Sequence, residues 1–419
     1  MRTPVSTIEN GDDMLFQNSR RKRRGDDILF LGHDASRTGA PIVLLRMLRW
    51  LRENTDLSFS VILGAGGPLE PDYSEVANTK VCYLATQTES HFLRPLLKIP
   101  GLRRVISYSH RRLLRLRLRF RKPQMIYANT SATGDMLEFF DLNNVPTVTH
   151  VHELEVVLRT LIGLRQFAQT IRHTNRFLAV SQAVRQNLMQ NHNISDDDIE
   201  MVPEFLPIGE HSPENWKNAR LNFVQRFDMP EDAFIVGASG TPGWRKGSDL
   251  FVQVAGHVAR THPEAPIYFA WIGGPLSATE SEYLLHDCDR LGVRERIRFI
   301  DTQPDPIALF QGLSVFAMVS REDPYPIVTI ETAAEAVPIV CFDQAGGTQE
   351  LVEDDAGFVV PYLDTAAMAN RIVELFDAPG LRNQLGNRAR EKVLERNNAA
   401  VVMPLIADVI RRNTGNRVD

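Results

Sequence analysis

The chain has 419 residues, of which 43% are hydrophobic and 24% charged, and its formal net charge is −5. That length is too great for one ordinary core and suits two domains of roughly 200 residues each, in a composition typical of globular proteins. No run approaches the ~18 consecutive apolar residues of a membrane-spanning helix, and Cys82, Cys288 and Cys341 are too far apart for a disulfide framework or a CxxC zinc site.

Residues 1–26 are polar, carry "RRKRR" at 20–24 and are expected to be disordered. With no apolar N-terminal segment of signal-peptide length, and reduced thiols expected, the sequence predicts a cytoplasmic protein. Next, "DILFLGHDASRTGAP" (27–41) runs from an apolar stretch through a Gly-containing loop into the apolar-periodic "IVLLRMLRWL". This is the order of the first strand, loop and helix of a doubly wound domain. The strand-like runs "SVIL", "VCYL", "MIYAN", "TVTHVH" and "RFLAVS" follow, short and nearly all apolar, as strands buried on both faces must be. Between them, 103–123 holds eight arginines interleaved with Leu, Ile and Phe. Such a run reads either as a peripheral contact with an anionic membrane or as a solvated helix flank.

The Pro-rich "VPEFLPIGEHSPE" (202–214) is the expected hinge. Beyond it "AFIVGASGTPGWRKG" (233–247) repeats the strand–loop–helix plan, and "IYFAWIGG", "IRFID", "VFAMVS" and "PIVCF" supply further strands. The expected architecture is therefore α/β, with two Rossmann-like, doubly wound parallel-sheet domains whose strand ends face one central cleft. The expected divisions are 1–26, a first domain 27–208, a second domain 209–395 and a closing segment 396–419. In the last, Pro404 predicts a kink.

"SREDPYPIVTIETAAEAVP" (320–338) follows the predicted strand "SVFAMVS". Pro326 suits a first helical turn, and Ile327, Ile330, Ala334 and Val337 fall at helical spacing as a core stripe. Asp323 precedes the helix and Glu331 leans back toward its start, so both carboxylates converge on the amides of Ile327 and Val328. Amides that attract an anion, beside carboxylates that accept hydroxyl hydrogens, suit a molecule with both phosphate and sugar hydroxyls. The plainer reading is an ordinary Asp cap with a half-exposed Glu331. The second Gly-rich loop adds Arg245 and Lys246 just past a strand end, where a cation offsets phosphate charge. Adjacent side chains do not readily face one ligand together, which predicts that one of the two is structural.

These stretches resemble a known family. "DPYPIVTIE" is similar to the E-x7-E signature, EPFGxxxxE, of the family 4 glycosyltransferases, and "GTPGWRKGSDLF" with "FAWIGG" resembles their phosphate-binding loop and next strand. The sequence at 33–41, "YANTSATG" (127–134), "VTHVHELE" (148–155), "FLAVSQAVRQNL" (177–188) and "AGGTQELVEDDAGFVVPYLD" (345–364) resembles further family segments, so the likeness runs from about 27 to about 395. It implies the GT-B fold, in which the closing segment 396–419 would cross back to the first domain, and transfer of a sugar, with retention, from a UDP- or GDP-linked donor substrate. Neither a metal nor another cofactor is implied. Lys246 would hold the diphosphate with help from Arg245, Glu331 the ribose, and Asp323 the sugar hydroxyls. The Ile327 and Val328 backbone would face sugar and phosphates, Gly39 would lie opposite near the diphosphate, and His152 would lie near sugar and acceptor. The implied catalysis is chiefly electrostatic. The acceptor would be a glycan or lipid-linked molecule in surface-polysaccharide or lipopolysaccharide synthesis.

The sequence departs from the family at four positions. Asp323 stands for the first Glu, so that Glu322 is an alternative first acid. Pro326 stands for a Gly, Gly240 for an Arg and Ala336 for a helix-ending Gly. The first three motivate an alternative, a catalytically silent GT-B scaffold. His150 and His152 lie on one strand face without a third metal ligand. The D-x-D strings in "SDDDIE" and "HDCD" read as a turn and a helix surface. Nothing marks the chain as a nucleic-acid binder.

Overall fold

The structure, a computed structural model, describes residues 28–82, 122–209 except 141 and 143, and 213–414 except 275, 276, 304 and 305. The run at 20–24 and nearly all of the arginine-rich 103–123 lie outside the described residues. No helix among the described residues is long and apolar enough to cross a membrane.

Seven strands form the first sheet: β1 (Ile28–Gly32), β2 (Phe59–Leu63), β3 (Asn78–Val81), β4 (Met125–Asn129), β5 (Thr147–Val151), β6 (Arg176–Ala179) and β7 (Ile199–Met201). Their order is β3-β2-β1-β4-β5-β6-β7, and every neighbouring pair is parallel. Six more form the second: β8 (Phe234–Ser239), β9 (Ile267–Ile272), β10 (Ile297–Ile300), β11 (Val315–Met318), β12 (Ile339–Phe342) and β13 (Gly357–Val360). Their order, β10-β9-β8-β11-β12-β13, is again wholly parallel. Each sheet is doubly wound, as expected, and reverses direction once, between β1 and β4 and between β8 and β11. The loops leaving those strands therefore flank the crevice where ligands of such sheets bind.

Burial explains which strands were legible. β1, β4 and β5 are buried at every residue, and their uninterrupted apolar runs announce them. The edge strand β3 is only partly buried and ends at Val81, paired with Leu63. The strand expected at "VCYL" thus lies three residues earlier, on polar residues that show no apolar run.

Five helices bear on the site: α1 (Gly39–Asn54), α2 (Ser248–Thr261), α3 (Ile327–Ala334), α4 (Pro379–Arg396) and α5 (Ala399–Asn413). α5 crosses back to the first sheet. Val402, Met403, Ile406 and Ile410 join Phe30, Leu44, Leu48 and Tyr127 in one buried cluster, and Arg412 pairs with Glu200 at 2.8 Å. The helix continues through Pro404. The return is guided by a short parallel bridge between Leu206 and Asn398. A second cluster joins the lobes directly, running from Val151, Phe177 and Leu206 to Ile235, Phe316, Tyr325 and Ile330.

Candidate functional site

The site is built where the second sheet reverses. The loop after β8 carries Arg245 and Lys246, and the loop after β11 carries Glu322 and Asp323. Lys246 Nζ donates to Asp323 Oδ2 at 2.5 Å, and Arg245 Nη1 lies 3.5 Å from the same oxygen. Both cations therefore lie against one carboxylate, and Arg245 Nη1 also donates to the Glu322 backbone carbonyl at 2.9 Å. Two glycines permit the approach. Gly247 has φ +76°, and a Cβ there would stand 2.1 Å from the Val319 carbonyl oxygen at the end of β11. Gly346 has φ +133° and lies so close to the Asp323 backbone that no side chain fits. Asp323 N donates to Ala345 O at 2.7 Å, which fixes the acid from behind. Arg321 braces the Gly-rich loop by a two-pronged pair with Asp249 (2.8 and 2.7 Å) and by its stack on Trp244.

α3 begins one residue later than its Pro suggests. Pro326, in extended conformation, caps the helix instead of sitting in its first turn. The amides of Ile327 and Val328 precede the first intrahelical bond, Thr329 N to Pro326 O. Ile330, Ala334 and Val337 are buried as expected, but Ile327 leaves the stripe and packs against the first lobe's core. There it faces Gly39, where an added Cβ would touch Ile327 Cδ1 at 3.7 Å. Glu331 is buried to 9% exposure, and Arg46 Nη2 approaches its Oε1 to 3.6 Å from α1.

Glu322 does not belong to this cluster. Its Oε1 accepts from Val156 N, 3.0 Å away in the first lobe, and burial raises its pKa against the lowering pull of the Val156 and Val157 amides and of Arg245. Glu322, expected in the donor-binding set, thus sets its carboxylate on the first lobe, and Asp323 is the acid that shares the groove with the cations. A similar contact lies nearby: Glu350 accepts from Gln182 N and Ala183 N at 3.0 and 3.1 Å. Two second-lobe carboxylates thus sit on two first-lobe helix starts.

His152, at the end of β5, is held on both ring nitrogens: Nδ1 lies 2.5 Å from Glu204 Oε1 and Nε2 lies 3.1 Å from Asn129 Oδ1. Burial disfavours its charged form, but Glu204, by charge and hydrogen bond, and Glu153 outweigh this and raise its pKa. His150, 4.2 Å away between ring centroids, is pushed the other way by burial and by His152. Glu153 accepts from Thr130 Oγ1 and, at 3.1 Å each, from the amides of Ser131 and His152. It thereby holds Thr130 at φ 106°, a conformation that costs a non-glycine residue about 1–3 kcal/mol. Among the described residues no three His, Cys, Asp or Glu side chains group as metal ligands. The D-x-D at 196–198 is a turn whose Asp196 pairs with Arg185 at 2.6 Å, and that at 287–289 lies along a helix.

Two family models divide the chain between them: Glycosyltransferase Family 4 over residues 37–208 and Glycosyl transferases group 1 over 220–392. The chain belongs to glycosyltransferase family 4. The chain is 23% identical over 269 residues to a D-inositol 3-phosphate glycosyltransferase of Corynebacterium kroppenstedtii, covering 60% of this chain and 58% of that one. It is 25% identical over 219 residues to the Corynebacterium glutamicum protein of the same name, covering 51% and 52%. The chain thus spans a little over half the length of these relatives. Among solved structures it is similar to Anabaena HepE in complex with UDP-glucose, with a TM-score of 0.72 and 20% identity over 92% of this chain and 99% of that one. It is also similar to WaaG, a glycosyltransferase involved in lipopolysaccharide biosynthesis, with a TM-score of 0.67 and 13% identity over 91% and 99%. At these identities the likeness speaks for the fold.

Sequence reasoning missed Arg46, Glu153, Glu204 and Glu350. Arg46 carried a signal, since it follows Gly39 by seven residues and so shares its face of α1. Glu153 adjoins His152 in "HVHELE". Glu204 and Glu350 act across long sequence separations, and no local pattern points to them.

Proposed function

We propose that this glycosyltransferase moves a sugar from a UDP- or GDP-linked donor to a hydroxyl of a glycan or lipid-linked acceptor, with retention of configuration and without a metal ion. The observation that carries this reading is the convergence of Lys246, Arg245 and Asp323 at the start of α3, with Glu331 one turn on and Gly39 across the cleft. Side-chain cations and helix amides supply the positive potential a diphosphate needs, which favours a metal-independent reaction. Donor binding would draw Lys246 and Arg245 onto the phosphates and free Asp323 to accept sugar hydroxyls, while Glu331 accepts from the ribose. The bond from the anomeric carbon to the β-phosphate oxygen then breaks. The acceptor oxygen forms the new bond on the same face, and its proton leaves on the departing diphosphate. His152, held from both sides, would position the sugar near the acceptor. The lipopolysaccharide role named for WaaG supports an acceptor among surface glycans.

Transfer assays and UDP- and GDP-sugar thermal shifts on the full chain test this. Lys246→Ala and Glu331→Ala should each abolish transfer with circular dichroism unchanged, and the matching nucleotide should raise the wild-type melting temperature by mass action. Normal transfer by both variants would overturn the assignment.

A further inference from the structure

The carboxyl ends of β1, β2, β4 and β5 enclose a cavity of about 420 Å³ in the first lobe. It adjoins the site through shared residues. Glu153 in its wall binds the His152 amide, and Val157 in its wall neighbours the Val156 amide that Glu322 accepts from. Among the described residues the lining includes Asp34, Asp135 and Glu153 but no Lys or Arg. Glu153 is fully engaged by Thr130, Ser131 and His152. Asp135 makes no side-chain hydrogen bond among the described residues, and Asp34 uses only Oδ1, toward Ser36 and, at 3.5 Å, His33 Nε2. Beside them His33 Nδ1 is buried without a partner. The wall therefore offers spare hydrogen-bond acceptors in a negative field.

Its lip is of opposite character. The π-helical turn Leu158–Ile162 sets Leu161 and Ile162 on the cavity, with Leu161 77% exposed and Leu164 just beyond it 51% exposed. Exposed leucines side by side at a cavity mouth are an apolar contact surface.

Resting on the transferase reading above, we propose that this cavity takes the acceptor, and that the acceptor is an uncharged hydroxyl-bearing ring with an apolar aglycone lying over Leu161 and Leu164. Ring hydroxyls donate to Asp34 and Asp135. Among the described lining residues a phosphorylated acceptor, such as the one in the name of the corynebacterial relatives, meets three carboxylates and no Lys or Arg, and is rejected by repulsion and by loss of its phosphate partners.

The test measures binding of hexyl glucoside, methyl glucoside and glucose 6-phosphate to the full chain by calorimetry, with no donor present. Hexyl glucoside should bind at least about tenfold more tightly than methyl glucoside, and glucose 6-phosphate should bind more weakly than either. Leu161→Ser should erase the gain from the hexyl chain. Asp135→Lys should weaken the glucosides and strengthen glucose 6-phosphate by about tenfold or more, a gain that misfolding cannot imitate. The proposal is overturned if the phosphate binds as well as hexyl glucoside to the wild type, if Asp135→Lys leaves the order unchanged, or if no glucoside binds. Titration of the same preparations with UDP and GDP keeps the donor reading separate. Glucoside binding without nucleotide binding counts against the donor site alone, and the reverse counts against the acceptor cavity alone.

Discussion

Ala336 ends α3 with φ +54°, where the family ordinarily has glycine. A left-handed conformation costs an L-residue about 1–2 kcal/mol, so Ala336→Gly should stabilise the fold by about 1 kcal/mol, read as a higher urea midpoint at unchanged slope. His152 gives a pH-dependent counterpart. Its native pKa lies above the ordinary 6.5, so the folded state binds more protons than the unfolded. Its contribution is complete below that ordinary value and fades as pH rises through the raised native one. Glu204→Gln removes the charge that retains the proton. The stability gap between wild type and variant should be widest below pH 6.5 and narrow as the pH rises through the raised native pKa, measured by melting at each pH. A constant gap would contradict the coupling. At this scale the sequence was legible where chemistry is local. Lys246, Arg245 and Asp323 stand in two short loops beside strand ends, and their meeting followed from strand–loop–helix order. Glu322 was ambiguous because its partner, the Val156 amide, lies 166 residues away.

Among the elements, the starts of two first-lobe helices are covered by Glu322 and Glu350 of the second lobe. Such capping is worth about 1 kcal/mol per carboxylate. Glu350→Ala should lower stability by about that amount and enlarge the radius of gyration in small-angle scattering, whereas Glu350→Gln keeps acceptor oxygens and should fall between. Burial raises the pKa of both carboxylates, so protonation on acidification weakens the caps at a higher pH than for exposed glutamates. The central strands β1, β4, β5 and β8 were legible from apolar runs because two layers of helices cover them. The edges β3 and β7 were not, since half-buried strands of three or four residues carry too little pattern.

For the whole molecule, the paired sheets and the crevice between them follow from alternating strand and helix signals read twice along the chain. What no pattern disclosed is which contacts tie the lobes, because they join residues far apart in the sequence; only the return of the closing segment was expected, from the family architecture. α5 is the largest of these, with Ala399, Val402, Met403, Ile406 and Ile410 buried in the first lobe's core. A chain stopped at Asn397 should bind a hydrophobic dye and aggregate, with the first lobe losing protection from hydrogen exchange before the second.

That tie also orders the birth of the protein. Lobes usually fold as they leave the ribosome, earliest first, yet here the earliest lobe lacks a wall until a helix translated after the entire later lobe arrives. The later lobe must therefore mature first. Its partner waits with an uncovered oily face, a window in which chaperones, not sequence, would govern yield.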